Sequence, residues 1–458
     1  MKAEIKERIE DINKGIVPKG YKTSKLGVIP EDWDVKHFED VAVINPSKEN
    51  LDENEIVSFV TMSDVSDDAK LIRYQPKLYK EVSNGFTAFK DRDVLVAKIT
   101  PCFENGKGAL VDNLINKTGF GSTEFHVLRP KKYGDEVYIY YHTITDRFRK
   151  IGEKNMTGTA GQKRISTDFV KGFLIPYPRN DIERKKIADI LSTWDKAIEL
   201  KEKLIEQKKE QKKGLMQNLL TGRIRWNDGS KFSWREIKKR LEMISQGKVP
   251  EGYHKTQIGI IPLEWRVKRL KDISKRVQRE NGRNDHPVLT ISSLVGFLNQ
   301  NERFSKVIAG ENLSKYILLF KNEFAYNKGN SKTYPYGCVF RLEDYDRALV
   351  PNVYYCFEIV NGLSEFYKHY FLAGMLNKPL SRVINTGVRN DGLLNLNVDD
   401  FFSLPIIVPP LVEQERIANI LTTADKEIQQ LERELEALKQ QKKGLMQLLL
   451  TGKVRVKC

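Results

Sequence analysis

The sequence is short of the residues that build most recognisable active sites. It holds 4 cysteines in 458 residues, at positions 102, 338, 356 and 458. No two form a Cys-x-x-Cys pair, which argues against a structural zinc site or a disulfide framework and fits a reducing compartment. The 6 histidines (His37, His126, His142, His254, His286 and His369) form no His-x-x-x-His pair and no His/Cys cluster, so no metal site is indicated. There is no G-x-x-x-x-G-K-[ST] phosphate loop. Gly119-Phe120-Gly121 opens like a dinucleotide fingerprint but meets Glu124 where the third glycine belongs. An amino-methyltransferase needs an Asn/Asp-Pro-Pro-aromatic motif, and Asn45-Pro46-Ser47 stops short of it. No apolar run approaches the ~20 residues that cross a bilayer. The opening MKAEIKERIEDINKG carries acids where a signal peptide has an apolar core. A soluble cytoplasmic protein without membrane contact is expected.

What the chain does have is positive charge and repetition. Its net charge is +16, from 77 basic and 61 acidic residues. Such an excess favours a polyanionic partner, most simply nucleic acid, although a lysine-rich protein with no such partner has the same composition. Residues 211–222 read QKKGLMQNLLTG and residues 441–452 read QKKGLMQLLLTG, eleven of twelve identical at an offset of 230 (441 − 211). The offset holds back to Ile190-Leu191 against Ile420-Leu421 and Asp195-Lys196 against Asp425-Lys426. A second block, from Ile5, repeats from Ile237 at an offset of 232 (237 − 5), through GVIPEDW and GIIPLEW. Between the blocks, roughly 34–170 and 266–400, no convincing match exists. The chain reads as two copies of one unit with constant ends and different middles.

The constant ends carry a helical seam. Ile417, Leu421, Ala424, Ile428, Leu431, Leu435, Leu438, Leu445 and Leu449 step by fours and threes, interrupted by Lys442. That is the period of a coiled coil. The first copy has Ile187, Leu191, Trp194, Ile198, Ile205, Leu215 and Leu219, with Lys201, Lys208 and Lys212 in the same seam. Those lysines either snorkel or face acids on a partner helix. Acids mark each start (Asp181 and Glu183; Glu413 and Glu415), where carboxylates favour the helix dipole, and Thr-Gly (221–222 and 451–452) marks each end. From Glu183 to Leu219 a helix is about 55 Å long. Two such rods in one chain most simply pair with each other, antiparallel, with one reader at each end; the alternative is that each packs as an ordinary core helix of its own domain.

Both middles look α+β. Asp93–Ile99 reads as a strand, followed by the turn Thr100–Gly108 and a second strand near Ala109–Val111. Residues 119–125 read as a polar loop leading into a strand, and 156–164 as another loop ending in two cations. In the second middle, 322–334 and 386–392 have the same character. These loops combine Gly, Asn, Gln, Ser/Thr and Lys/Arg, the residues that contact phosphates and base edges. The candidate DNA-contact residues are Lys98, Asn105, Lys107, Ser122, Thr123, Gln162, Lys163 and Arg164 in the first middle. In the second they are Asn327, Lys328, Asn330, Ser331, Lys332, Arg389 and Asn390. Any single loop of this kind is more often a plain surface connection; several in both middles of a basic chain favour DNA.

The doubled QKKGLMQ-x-LLTG helix, the Pro-Pro-Leu-Val-Glu-Gln-Glu-Arg run at 409–416 and the GVIPEDW and GIIPLEW segments resemble the specificity subunit of type I restriction–modification enzymes. So do DVLVAKITPCFENGKGAL (93–110) and GSTEFHVLRP (121–130). The resemblance covers essentially the whole chain. It implies an α+β chain with a pseudo-two-fold internal repeat: two target recognition domains separated by two long antiparallel coiled-coil helices that act as a ruler. Each domain would read one half of a split, asymmetric target in double-stranded DNA. The division would be an N-terminal arm (1–32), a first recognition domain (33–178), a first spacer helix (179–226), a segment repeating the arm (227–264), a second recognition domain (265–408) and a second spacer helix (409–458).

The resemblance also implies that this chain is not itself a catalyst and holds no cofactor. It would assemble with two methyltransferase subunits, which bind S-adenosylmethionine and methylate adenine. Two restriction subunits would add ATP- and Mg2+-dependent translocation and cleavage. One departure bears on the first helix: residues 176–184 read PYPRNDIER, without the Pro-Pro-Leu-x-Glu-Gln pattern of the second. The alternatives are a self-contained methyltransferase or nuclease, and a coiled-coil adaptor that does not bind DNA.

Overall fold

A computed structural model describes residues 3–159, 161–282, 286–292, 295–300, 313–329, 334–384 and 394–457. The chain forms two compact units: Met1–Glu202 with Glu434–Cys458, and Lys203–Arg433. Each unit holds one reader and part of both long helices.

The long helices run Asp181–Leu219, 39 residues, and Leu411–Leu450, 40 residues. The 3.5-residue seam buries Ile187, Leu191, Ile198, Ile205 and Leu219 on one helix and Ile417, Leu421, Ile428 and Leu449 on the other. The three seam lysines face acids across the pair. Lys201 meets Glu434 at 2.8 Å and Lys208 meets Glu427 at 2.6 Å, while Lys212 meets Asp425. Lys442, which interrupts the second seam, meets Asp195 at 2.6 Å. Partner numbers fall on one helix as they rise on the other, so the pairing is antiparallel within each unit. Each lysine keeps its stem against the seam and its ammonium on a carboxylate, which combines the two expected behaviours.

The helix ends are clamped by the repeated arm. In the first unit Trp33 Nε1 donates to Glu183 at 3.1 Å, Arg455 Nε donates to the same carboxylate at 2.7 Å, and Tyr21 Oη donates to the Gly452 carbonyl at 2.9 Å. In the second, Trp265 Nε1 donates to Glu413 at 3.2 Å, Arg225 Nε to Glu413 at 2.8 Å, and Tyr253 Oη to the Gly222 carbonyl at 2.7 Å. Gly222 and Gly452 have φ of +69° and +70°, and a Cβ would sit 2.5 Å from Cδ of Pro262 or Pro30. Only glycine satisfies both the left-handed backbone and the close approach. The first-turn acids Glu183 and Glu413 are buried, so they bind specific cations and an indole rather than only facing the helix dipole. The N-terminal helix Ala3–Asn13 lies beside the end of the second long helix, with Arg8 donating to the Lys453 carbonyl and Lys453 to Asn13.

The departure at 176–184 has a structural counterpart. Gln414 donates to the Pro409 carbonyl at 2.8 Å and accepts from Leu363 N–H at 2.9 Å. Its repeat, Arg184 (414 − 230), donates to the Pro178 carbonyl at 2.6 Å and to Asp135 at 2.7 Å. A longer charged side chain reaches a carboxylate where the amide reaches a peptide group. Burying that arginine is tolerable because Asp135 and Asp181 pair with it.

Each reader has its own central sheet, and the two sheets have the same strand order although the sequences do not align. In the first, Ala42–Ile44, Phe125–Pro130, Val94–Ala97 and Gly108–Leu110 form a four-stranded antiparallel sheet in that order. In the second, Ser274–Val277, Tyr355–Ile359, Phe324–Asn327 and Cys338–Arg341 do the same. Each reader also has a two-stranded ribbon next to the frame, Trp33–His37 with Leu174–Pro178 and Arg266–Arg269 with Pro405–Val408. The first reader adds a sheet of order Gln75–Leu78, Ile56–Val60, Thr118–Gly121, Thr87–Lys90. This corrects one expectation: residues 119–121 are strand, not loop. A Cβ on Gly119 would lie 2.1 Å from the Phe89 ring and one on Gly121 2.4 Å from the Val60 carbonyl. The glycines serve close packing inside a sheet rather than a turn.

Candidate nucleic-acid interface

Six of the candidate residues in the first reader come together at one end of its central sheet. The strand Val94–Ala97 continues into Lys98, which is flanked by two loops. Lys98 N–H donates to the Glu124 carbonyl at 2.7 Å, and Ile165 N–H donates to the Lys98 carbonyl at 3.0 Å. This places Ser122 and Thr123 on one side of Lys98 and Gln162, Lys163 and Arg164 on the other. Thr123, Gln162 and Lys163 are exposed. The Lys98 ammonium donates to the Thr123 carbonyl at 2.9 Å, and burial holds its pKa below the ordinary lysine value. Arg164 forks onto Glu124 at 2.9 and 3.1 Å, and this hydrogen bonding holds the Glu124 carboxyl below its usual range. A phosphate or base edge approaching Arg164 must displace or share it with Glu124.

Asn105 and Lys107 sit on the Thr100–Gly108 turn. Asn105 is exposed at its apex. Lys107 turns inward and donates to the Met62 and Val65 carbonyls at 3.1 and 3.0 Å, so it anchors the turn rather than projecting to DNA. Arg149 holds the turn from beneath, donating to the Phe103 and Gly106 carbonyls at 3.0 Å each. Burial pushes the Arg149 pKa down to about 10. The Phe103 ring lies on Gly152, where a Cβ would come within 2.3 Å. Arg149 and Gly152 are one turn apart on the helix Asp146–Lys154, and sequence reading passed over both.

In the second reader Asn327 ends the strand Phe324–Asn327 and Lys328 follows it. They occupy the positions of Ala97 and Lys98 at the same offset of 230 (328 − 98). The Lys328 ammonium lies 3.3 Å from Tyr355 Oη and 4.8 Å from its ring centroid. The Lys328 carbonyl accepts from Leu394 N–H at 3.0 Å, as Lys98 accepts from Ile165. The Asn327 amide oxygen accepts from Gly329 N–H at 2.9 Å and shapes the following loop. Asn330, Ser331, Lys332, Arg389 and Asn390 lie outside the described residues.

The buried histidines do other work. His126 bridges the Ile165 carbonyl at 3.1 Å and Asn45 at 3.2 Å, and burial pushes its pKa down to about 4. Among the described residues, no group of three or more His, Cys, Asp or Glu side chains is placed to hold a metal ion. Also among them, no helix is long and apolar enough to cross a membrane.

The family description "Type I restriction modification DNA specificity domain" matches residues 30–209 and 262–440, one match over each reader and the helix that follows it. The chain belongs to that family and carries its domain twice. The specificity subunit of the type I restriction enzyme EcoEI of Escherichia coli is 36% identical over 181 residues, which span 39% of this chain and 30% of that subunit. The putative type I restriction enzyme MjaX specificity subunit of Methanocaldococcus jannaschii is 26% identical over 95% of this chain and 97% of its own length. Among solved structures, the type I restriction–modification S subunit from M. genitalium is similar in fold, with a TM-score of 0.51 at 14% identity. That likeness covers 97% of this chain and 100% of the other.

Proposed function

We propose that this chain is the DNA sequence-specificity subunit of a type I restriction–modification complex, reading a bipartite, asymmetric target. The observation that carries this is the pair of readers with one sheet order and different surface residues, mounted on a repeated helical frame. Two different readers on one frame suit two different half-sites. Each reader sits in the major groove, where all four base pairs are distinguishable, and lysine and arginine on phosphates set its register. Exposed Asn105, Thr123, Gln162 and Lys163 are the side chains best placed for this in the first reader, with Lys98 and Lys328 at equivalent strand ends.

The chain is non-catalytic in this reading. Two methyltransferase subunits supply S-adenosylmethionine chemistry, and two restriction subunits supply ATP- and Mg2+-dependent translocation and cleavage. The similarity to named type I specificity subunits over the length of the chain supports this assembly. The test is methylome sequencing of a host carrying the intact system. The expected result is methylated adenine in two unlike half-sites separated by a fixed gap. A palindromic or single-block motif contradicts the proposal.

A further inference from the structure

In each unit one carboxylate of the frame stands where three elements meet. In the first unit it is Asp195 on the first long helix. One oxygen accepts from Lys442 of the second long helix at 2.6 Å. The other accepts from the hydroxyl of Tyr141 at 2.6 Å. Tyr141 belongs to the reader, on the helix Glu136–Thr143, and its hydroxyl also lies 3.4 Å from Ser192 Oγ. The Lys442 ammonium stands 5.2 Å from the centre of the Tyr141 ring. Both rods and the reader therefore meet on a single side chain.

The second unit repeats this meeting at an offset of 230. Asp425 (195 + 230) pairs with Lys212 (442 − 230). Its other oxygen stands 3.8 Å from Nδ1 of His369, too far for a hydrogen bond, and the ring is tied to the frame instead through Nε2, 3.0 Å from Oγ1 of Thr422, the repeat of Ser192 (192 + 230). His369 belongs to the second reader, on the helix Ser364–Leu372, and its side chain is fully buried. The Asp and the Lys come from the repeated frame. The aromatic ring comes from a middle with no sequence counterpart in the other half. Two unrelated stretches thus place a polar ring beside the same repeated carboxylate and hydrogen-bond it to the frame, on Asp195 in one unit and on Thr422 in the other, which simple apolar docking of a reader on a coiled coil would not require.

We propose that Tyr141 and His369 are positioning residues that lock each reader to the frame and thereby fix the gap between the half-sites. The proposal rests on the reading of the chain as a bipartite specificity subunit. Adding one base pair to the gap moves a half-site by about 3.4 Å along the duplex and turns it by about 34°. A reader held only by apolar packing can rock to follow part of that movement. A hydroxyl held at 2.6 Å on a carboxylate already fixed by an ion pair cannot, because hydrogen bonds weaken steeply with length and angle. The readers' base contacts lie elsewhere, on the sheet end and loops around Lys98 and Lys328, so gap tolerance and base identity separate.

The experiment uses the full chain assembled with its methyltransferase subunits. Synthetic duplexes carry the two half-sites found by methylation mapping, with the gap native or changed by one base pair. Tyr141→Phe keeps the ring and removes only the hydroxyl; Asp195→Asn weakens both partners; Glu434→Gln, which removes the cross-helix pair with Lys201, is the control. Tyr141→Phe and Asp195→Asn are expected to raise methylation of the altered gaps about 10-fold relative to the native gap, with the bases read in both halves unchanged. Glu434→Gln is expected to keep the native gap preference. Native gap preference in both Tyr141→Phe and Asp195→Asn, or loss of base selectivity together with gap selectivity, overturns the proposal. An unsubstituted complex with no two-part target overturns the specificity reading itself, an outcome recognisable before any variant is tested.

Discussion

The two clamps of this molecule are made of the same atoms, and the two readers are not. Trp33, Glu183, Arg455 and Tyr21 at one clamp match Trp265, Glu413, Arg225 and Tyr253 at the other, with hydrogen bonds of the same kind in each. The readers keep strand order but little else: the first places Ala97-Lys98 where the second places Asn327-Lys328, and Tyr141 where the second places His369. A frame whose contacts repeat residue for residue can carry unlike readers, because what each reader must provide to it is small. It needs a strand for the ribbon, an apolar face, and one polar ring hydrogen-bonded to the frame.

The largest effect that tests this comparison is at the clamps. Glu183→Gln removes the buried charge that Arg455 and Trp33 share; Arg455 keeps Asp32, so the expected cost is that of weakened buried hydrogen bonds, about 1–3 kcal/mol. Glu413→Gln is expected to cost about the same. Urea unfolding of both variants checks this; a loss at one clamp alone would show that the repeat is formal and not energetic.

Acid sharpens the comparison of the readers. His142 and His126 in the first reader and His369 in the second are held neutral by burial, at pKa values of about 3, 4 and 4. The unfolded chain takes up these protons near pH 6.5 and the folded chain does not, so stability is full above pH 6.5 and falls as pH drops toward 4. His369 faces Asp425 and Glu365, which favour its charged form, and Lys212 and Lys368, which oppose it. Between pH 7.5 and 5 it accounts for about 2 kcal/mol of lost stability. His369→Gln is expected to lose that much less than the unsubstituted protein over this interval, measured by urea midpoints. Equal losses contradict the assignment.

DNA binding by the assembled complex should depend steeply on salt. Neutralising at least about five phosphates gives a log–log slope of roughly −4.5 or steeper. A slope near −1 removes the case for two readers engaged at once.

The smallest effect separates the two helices as self-partners. In a dimer of fragment 1–226, Lys212 still meets Asp195 and Lys209 meets Glu202, the repeats of Asp425 and Glu432. Lys201 and Lys208, however, face Leu204 (434 − 230) and Ala197 (427 − 230) in place of Glu434 and Glu427. Fragment 227–458 keeps Lys442 with Asp425 and has Leu431 and Leu438 in the corresponding seam places. Its dimer is expected to be tighter by about 1 kcal/mol, since exposed pairs contribute little each. Sedimentation of both fragments checks the order, and a tighter 1–226 dimer reverses it.

Much of the frame was legible because helical seams and caps are written in local spacing. The period from Ile417 to Leu449, the Thr-Gly ends and the repeated Asp195 and Asp425 are all visible in one dimension. The readers were less so. Gly119 and Gly121 read as loop because glycine signals turns, and only the packed Phe89 ring explains them as strand. Lys107 has the composition of a DNA contact, yet its ammonium is taken by two carbonyls some 40 residues away in sequence. Arg149, Tyr141 and His369 carry no local signal, since their partners arrive from distant segments. The equivalence of Lys98 and Lys328 becomes visible only once the two strands are superposed on one sheet order.

The central claim is that a constant frame holds two independent readers. The most direct measurement is methylation mapping of a chimera in which residues 34–170 are replaced by the corresponding middle of a relative, assembled with the same partner subunits. The expected result is a new motif in which one half-site has changed while the other half-site and the gap are retained. A chimera that changes both halves would contradict it.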